Sequence, residues 1–288
     1  MIASIKKIAL VGGTHGGELT GVFLVKKFQQ SPHLLQRHGF ETIAFISNEK
    51  AVAVGTRYID TDLNRAFNSQ DLKNPQLINY EQSLAKKIQS RIQQEKIDLI
   101  FDLHSTTSNM GLTLILHGDN PDLLKMAGYL TQTNSKVKIL QHKLNKQASY
   151  LISSAKLGIT IEVGAIANGL LDAKLFQETE SLVYAILDYL EADKKGQPLS
   201  VPPSFTYYSA IGTVDYPRND KGEIQAMIHP KLQFQDYQPL NPGNPIFITF
   251  DGEEIFYQGD ETVYPVFINE AAYYEKGTAM CLTVISEQ

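Results

Sequence analysis

The chain has a single cysteine, Cys281, among its 288 residues. One cysteine excludes both an intramolecular disulfide and a zinc cluster built on thiolates. We interpret Cys281 as a small buried apolar residue in a late strand rather than as a reactive thiol. A metal bound by this chain would therefore need nitrogen and oxygen ligands.

Long apolar runs and clusters of basic residues are also missing. No apolar stretch approaches the roughly 20 residues that a membrane-spanning helix needs. Basic runs such as Lys26-Lys27 are short, and the formal net charge is −5, whereas a nucleic-acid partner calls for a clustered basic surface. The N-terminal apolar strand is short and leads directly into a glycine-rich segment with a histidine, so we do not interpret it as a cleavable signal peptide. We expect a cytoplasmic protein with no nucleic-acid or membrane partner.

Short apolar segments alternate with longer amphipathic segments up to about residue 192. The predicted strands are 5–11, 42–48, 98–104, 113–117, 136–140 and 159–163, and the predicted helices are 18–30, 76–95, 121–134, 149–156 and 172–192. Several strands are apolar on both faces, which is typical of a mostly parallel sheet covered by helices on both sides. The pattern predicts a three-layer α/β domain over residues 1–195, in which ligand sites lie at the carboxyl ends of strands.

The segment 192–204 is rich in proline, glycine and charge, as a linker is. After it the helical period disappears, and short strands alternate with turn sequences such as Asn-Pro-Gly and Asp-Gly. We therefore predict a smaller β-rich domain over residues 196–288. A homo-oligomer is also expected, because compact metabolic enzymes often form one.

A candidate metal site follows the first apolar run, Ile8 to Val11, in the sequence Gly12-Gly-Thr-His15-Gly-Gly-Glu18. Imidazole and carboxylate are good Zn²⁺ ligands, and a catalytic zinc typically takes three protein ligands. His104, at the end of the apolar run that begins at Asp98, is the natural third ligand. A single histidine at a strand end is more often a hydrogen-bonded core or loop residue. The prediction of a metal site therefore rests on the combination of His15, Glu18 and His104.

Two further carboxylates accompany this set. Glu162 closes the apolar run Ile159-Thr-Ile-Glu162, where a carboxylate is costly unless it is paired or used. Asp102 precedes His104 by two residues and could accept the second N–H of a ligand histidine. The alternative for Asp102 is an aspartate that faces a helix or pairs with a loop.

The polar stretch from Arg57 to Arg65 contains two arginines and Asn64. An arginine binds a carboxylate in two-point geometry, and a neighbouring amide adds orientation, so this loop suits an anionic small molecule. The alternative is a surface loop with salt bridges.

Five ordered runs, GGTHGGE, TRYIDTDLNR, DLHSTTSNMG, IEVG and YPVFINEAAYYEK, resemble the aspartoacylase branch of the succinylglutamate desuccinylase/aspartoacylase family of zinc hydrolases. The resemblance spans both predicted domains. It implies a carboxypeptidase-like catalytic domain and a β-rich C-terminal domain that narrows access to one Zn²⁺ per chain.

The resemblance also implies roles for individual residues. The zinc ligands would be His15, Glu18 and His104. Glu162 would be the general base that takes a proton from zinc-bound water, and Arg57 would polarise the scissile carbonyl. The residues implied to contact the substrate are Asn64, Arg65, Tyr150 and Tyr273.

Two positions depart from the family pattern. Gly17 stands where the family has asparagine, which we interpret as a minor loop change. Ile152 stands where counting back from Glu162 would place a substrate-binding arginine, so selectivity for aspartate is weakened unless another cation compensates. The candidate compensating cations are Lys143, Lys146 and Lys156, although the simpler interpretation of each is a surface lysine.

These observations predict a zinc amidohydrolase that deacylates N-acyl amino acids, first of all N-acetyl-L-aspartate. The alternatives are a deacylase of succinylglutamate or of N-acetyl neutral or aromatic amino acids. A peptidase is disfavoured, because a narrow capped entrance would exclude peptides. A non-catalytic small-molecule-binding protein is disfavoured by the joint presence of three ligands, Glu162 and Arg57.

Overall fold

The computed structural model describes residues 2–142 and 149–288. The strands in this part of the chain are β1 (Lys7–Gly12), β2 (Glu41–Ile46), β3 (Leu99–Ser105), β4 (Gly111–His117), β5 (Val137–His142), β6 (Leu157–Gly164), β7 (Thr206–Val214), β8 (Ala226–Ile228), β9 (Pro245–Thr249), β10 (Glu254–Phe256) and β11 (Met280–Glu287). The α-helices are α1 (Leu19–Gln30), α2 (Glu49–Val54), α3 (Ser69–Lys73), α4 (Tyr80–Gln94), α5 (Pro121–Thr133) and α6 (Ala173–Lys194). Short 3₁₀ helices at Leu63–Arg65, Leu151–Ser154 and Ala271–Lys276 carry residues that are important below.

Eight of the described strands form one mixed sheet in the order β11-β7-β5-β4-β6-β3-β1-β2. The β4–β6 and β7–β11 pairs are antiparallel, and the other pairs are parallel. Helices cover both faces of the sheet. Alternate residues of a strand point to opposite faces, so one strand contributes to the cores on both sides. In β1, Ile8 and Leu10 join a core shared with α1, α5 and α6, whereas Ala9 and Val11 join a core shared with α4. The predicted three-layer α/β architecture with a mostly parallel sheet is confirmed.

The β-rich part after the linker contributes to two sheets. Its strands β7 and β11 extend the large sheet beyond β5, whereas β8, β9 and β10 form a separate antiparallel sheet of three strands. A core of its own, which includes Tyr216, Phe247 and Met280, lies in this part of the chain. The two parts are therefore joined by continuous strand pairing as well as by the linker.

The predicted helix at 149–156 is wrong. Only Leu151–Ser154 is helical, as a single 3₁₀ turn. Leu151 and Ile152 are buried, and the backbone N–H of Leu151 donates to the side-chain oxygen of Asn64 over 2.9 Å. Burial of Leu151 and Ile152 and the hydrogen bond to Asn64 fix the backbone here, in place of the backbone hydrogen bonds that a longer helix would have formed. The helices α2 and α3 were not predicted.

Close packing explains one glycine of the loop after β1. A Cβ added to Gly16 would lie 2.1 Å from the carbonyl carbon of Ala51 in α2, which no side chain tolerates. Gly16 thus allows α2 to press against the loop that carries His15. No helix in the described ranges is both long and apolar enough to cross a bilayer.

Candidate active site

The three predicted metal ligands come together at the carboxyl ends of β1 and β3. His15 lies in the loop after β1, Glu18 precedes the first residue of α1, and His104 is the penultimate residue of β3. All three are buried, and one ligand atom of each lies within 4.8 Å of those of the other two. Nδ1 of His15 is 2.6 Å from Oε1 of Glu18, and Nδ1 of His104 is 2.9 Å from Oε2. The carboxylate of Glu18 thus lies between two imidazoles.

The far side of each imidazole faces another carboxylate. Nε2 of His15 lies 2.9 Å from Oδ1 of Asp62, and Nε2 of His104 lies 2.8 Å from Oδ2 of Asp102. Asp102 also accepts a hydrogen bond from the hydroxyl of Thr14 over 2.8 Å. Carboxylates in this position fix the tautomer and orientation of metal-binding histidines. Asp102 does lie where the sequence analysis anticipated, whereas the matching position of Asp62 was not predicted.

The donor chemistry of this cluster suits a divalent cation. Both Nε2 atoms are engaged by aspartates, so the two Nδ1 atoms and the Glu18 carboxylate remain to converge on one point. Burial acts to raise the pKa of Glu18, but the two imidazoles outweigh burial and hold that pKa well below its usual range. A set of two imidazoles and one ionised carboxylate matches the ligand number and type of catalytic zinc sites.

Glu162 lies beside His104, because β6 pairs with β3 in a register that places these two residues opposite each other. The side chain is buried, and no hydrogen bond joins its carboxylate to any residue the structure describes. Burial, together with the negative charges of Glu18 and Glu270, raises the pKa of Glu162 well above its ordinary value. An unpartnered carboxylate with a raised pKa is a stronger base than an ordinary glutamate, which suits it to proton transfer.

The polar stretch from Arg57 to Arg65 lies against the same cluster. The Arg57 guanidinium donates to Glu18 over 3.4 Å and to Asp62 over 3.2 Å. Asn64 is buried, with its side-chain oxygen committed to Leu151, and Arg65 lies over the Tyr150 ring at 4.9 Å from its centroid. The stretch is therefore a wall of the site as well as a salt-bridged loop.

Residues of the β-rich part complete the site. The 3₁₀ helix Ala271–Lys276 brings Tyr273 and Lys276 to the cavity, where the ammonium group of Lys276 donates to Asp62 over 2.9 Å. Glu270 fixes this helix, because its carboxylate accepts hydrogen bonds from the Thr106 hydroxyl and the Thr107 backbone N–H. Thr106 and Thr107 directly follow β3, so two distant sequence motifs bind each other. Lys276 and Glu270 were missed, although both lie in the run that pointed to Tyr273.

One cavity of about 300 Å³ connects these groups. The predicted site residues that line it are His15, Glu18, Arg57, Asn64, Arg65, His104, Tyr150, Glu162 and Tyr273. It also reaches two histidines that the sequence analysis did not select, His117 at the end of β4 and His142 at the end of β5. A lone histidine at a strand end carries no motif, so only the pairing of β4 with β5 could reveal them.

Position 152, where counting back from Glu162 would place a substrate-binding arginine, does not reach the cavity. Ile152 is buried among Ala9, Val11 and other core residues and does not line the cavity. Lys156 is largely exposed and lies 3.8 Å from Asp98, at the start of β3 rather than its end. The other two candidate cations, Lys143 and Lys146, lie outside the described residues.

Comparison with known proteins agrees with this geometry. Residues 4–190 match the succinylglutamate desuccinylase/aspartoacylase catalytic domain, and residues 203–285 match the AstE/AspA barrel-sandwich hybrid domain. The chain belongs to the succinylglutamate desuccinylase/aspartoacylase family. It is 52% identical to a probable aspartoacylase of Nostoc sp. over 282 residues, covering 97% of this chain and 96% of the relative.

Relatives in this family extend to animals. The chain is 42% identical to the aspartoacylase of Mus musculus over 290 residues, covering 97% of this chain and 92% of the relative. The crystal structure of murine aminoacylase 3 superposes with a TM-score of 0.93 at 35% identity, covering 99% of this chain and 96% of that chain. The resemblance that the five sequence runs predicted is confirmed.

Proposed function

We propose that the protein is a zinc-dependent amidohydrolase that removes the acyl group from N-acyl amino acids, with N-acetyl-L-aspartate as its first substrate. The observation that carries this proposal is the buried set of His15, Glu18 and His104 directly beside an unpartnered Glu162. The names of the relatives, aspartoacylase and aminoacylase, support the same reaction class. We assign the zinc ligands as His15 Nδ1, His104 Nδ1 and the Glu18 carboxylate, one ion per chain.

Zinc, when bound, supplies Lewis-acid chemistry to such a site and lowers the pKa of water. Glu162 accepts the proton of the attacking water and returns it to the nitrogen of the leaving amino acid. Because Glu162 lies in an apolar strand, its carboxylate is poorly solvated. It therefore exchanges a proton with the attacking water and the leaving nitrogen rather than with bulk water. Asp62 and Asp102 hold the two imidazoles in orientation throughout.

Arg57 has the role of stabilising negative charge on the amide oxygen. A preorganised cation in a buried site acts on developing charge without reorganising during the reaction. Its ion pairs with Glu18 and Asp62 hold the guanidinium next to the proposed ligands. Asn64, Arg65, Tyr150 and Tyr273 are assigned to the amino-acid part of the substrate, and Arg65 is the group that can bind a carboxylate in two-point geometry.

A second candidate substrate class is the N-acetyl neutral or aromatic amino acids. Two described arginines line the cavity, and Arg57 is engaged by Glu18 and Asp62, so one free guanidinium, that of Arg65, remains for a substrate carboxylate, as a neutral side chain would require. Murine aminoacylase 3, at a TM-score of 0.93, also supports an acylase other than aspartoacylase.

Hydrolysis of a panel of N-acyl amino acids, combined with elemental analysis, tests the proposal. We expect about one zinc per chain and the highest kcat/KM on N-acetyl-L-aspartate. Release of amino acid only from neutral or aromatic substrates would support the second candidate. Zinc-loaded protein that hydrolyses none of them would contradict the proposed function.

A further inference from the structure

The cavity has a second end, away from the three proposed metal ligands, where two histidines stack. His117 and His142 end the neighbouring parallel strands β4 and β5 in register with each other. Their ring centroids are 5.9 Å apart with an interplanar angle of 17°, and the Tyr150 ring lies 4.9 Å from that of His117. Ile115 and Thr160, which are register partners, line the floor between these rings and Glu162. This distal end shares one cavity with the proposed zinc site.

Neither imidazole has a hydrogen-bond partner among the residues of ranges 2–142 and 149–288. Burial, and after it electrostatic repulsion from His142, Arg65 and His104 in their charged forms, lowers the pKa of His117 to about 3. Burial also lowers the pKa of His142. Both rings are therefore uncharged near neutral pH, and each offers one N–H donor. Partly buried donors without partners are costly unless a ligand uses them.

The charges around the cavity differ between its two ends. The carboxylates that line it, Glu18, Glu162 and Glu270, belong to the end near the proposed metal ligands. Around the stacked rings, the described lining contains the Arg65 guanidinium and the Tyr150 ring but no carboxylate. An anionic group placed there would meet several donors and no like charge.

We propose that His117, His142 and Tyr150 form the subsite for the side-chain carboxylate of an acidic N-acyl amino acid. Arg65 binds the first carboxylate, and the two imidazole N–H groups donate to the second. This inference rests on the proposed deacylase function. It explains how the chain accommodates a dicarboxylate although Ile152 is buried away from the cavity.

The test compares N-acetyl-L-aspartate with N-acetyl-L-asparagine, which has the same shape without the second charge. Full-length, zinc-loaded His117→Phe, His142→Phe and the double variant keep a flat ring and lose the donors. We expect the ratio of kcat/KM for aspartate over asparagine to fall at least about tenfold, as for a lost hydrogen bond to a charged group. His117→Gln retains a donor and should keep most of the ratio. His33→Phe, at an exposed histidine in a surface 3₁₀ helix, is the matched control.

A second readout needs no variant that could fail to fold. Imidazole resonances of His117 and His142 in the wild-type protein should shift on addition of N-acetyl-L-aspartate, and much less with the asparagine analogue. An unchanged selectivity ratio in a folded double variant, or resonances that do not respond to N-acetyl-L-aspartate, would overturn the subsite. Wild-type protein that hydrolyses no N-acyl amino acid would instead contradict the proposed function, and the resonances would still decide the subsite.

Discussion

Replacing Glu162 with glutamine tests the proton-transfer role most directly. The two side chains have nearly the same shape, and no hydrogen bond joins the Glu162 carboxylate to the described residues, so no such contact is lost on substitution. Zinc content and the free energy of unfolding should therefore be close to those of the wild type. Turnover should fall by at least about 10²-fold, the usual contribution of a general base, which corresponds to about 2.7 kcal/mol in the activation free energy.

The assay is the steady-state rate of amino-acid release by the zinc-loaded variant, with elemental analysis on the same sample. Glu287→Gln, at an exposed glutamate in β11, is the matched control and should leave turnover unchanged. Near-normal turnover of Glu162→Gln at full zinc content would refute the assignment. Asp62 would then be the next candidate, although its carboxylate already engages His15, Arg57 and Lys276.

Three further predictions concern the metal, the core and pH. His104→Ala should remove the bound zinc, and elemental analysis that finds full occupancy would contradict the ligand set. Ile152→Arg should lower the free energy of unfolding in urea by at least about 3 kcal/mol, because it buries an unpaired guanidinium; a variant as stable as the wild type with improved aspartate hydrolysis would contradict this. Burial raises the pKa of Asp236 to about 6, so the folded chain binds the proton more tightly than the unfolded chain does. The stabilisation of the folded chain by this proton is fully present below a pH of about 4. It is lost as the pH rises through about 6, which lowers the free energy of unfolding by about 3 kcal/mol. The difference in unfolding free energy between wild type and Asp236→Asn should change by that amount over this range, and parallel pH profiles would exclude it.

Local sequence patterns were sufficient to predict the elements around the metal-site cluster. The carboxyl ends of β1, β3 and β6 meet because these strands are neighbours and parallel. A motif at the end of each apolar run therefore predicted His15, His104 and Glu162 as neighbours without knowledge of the strand order. Asp102 could be predicted as a partner for the same reason, since it lies two residues before His104 on the same strand face.

Contacts that depend on long-range pairing could not be predicted. Nothing in the sequence near β4 indicates that it runs antiparallel to β6, or that β7 and β11 add to the same sheet. That pairing joins the β-rich part to the edge of the sheet, and within this arrangement Glu270 contacts Thr106 and Lys276 contacts Asp62. The local helical pattern at 149–156 failed for a related reason, since burial of Ile152 and the side chain of Asn64 decide the backbone there.

The antiparallel position of β4 has a consequence for selectivity. Its carboxyl end points away from those of β3 and β6, so His117 lies at the opposite end of the sheet face from His104. Parallel pairing of β4 with β5 then places His142 beside it. The residues proposed for chemistry thus end one set of strands, and those proposed for side-chain recognition end another. We therefore expect substitutions at the distal pair to alter substrate choice while the proposed zinc ligands and Glu162 keep their contacts.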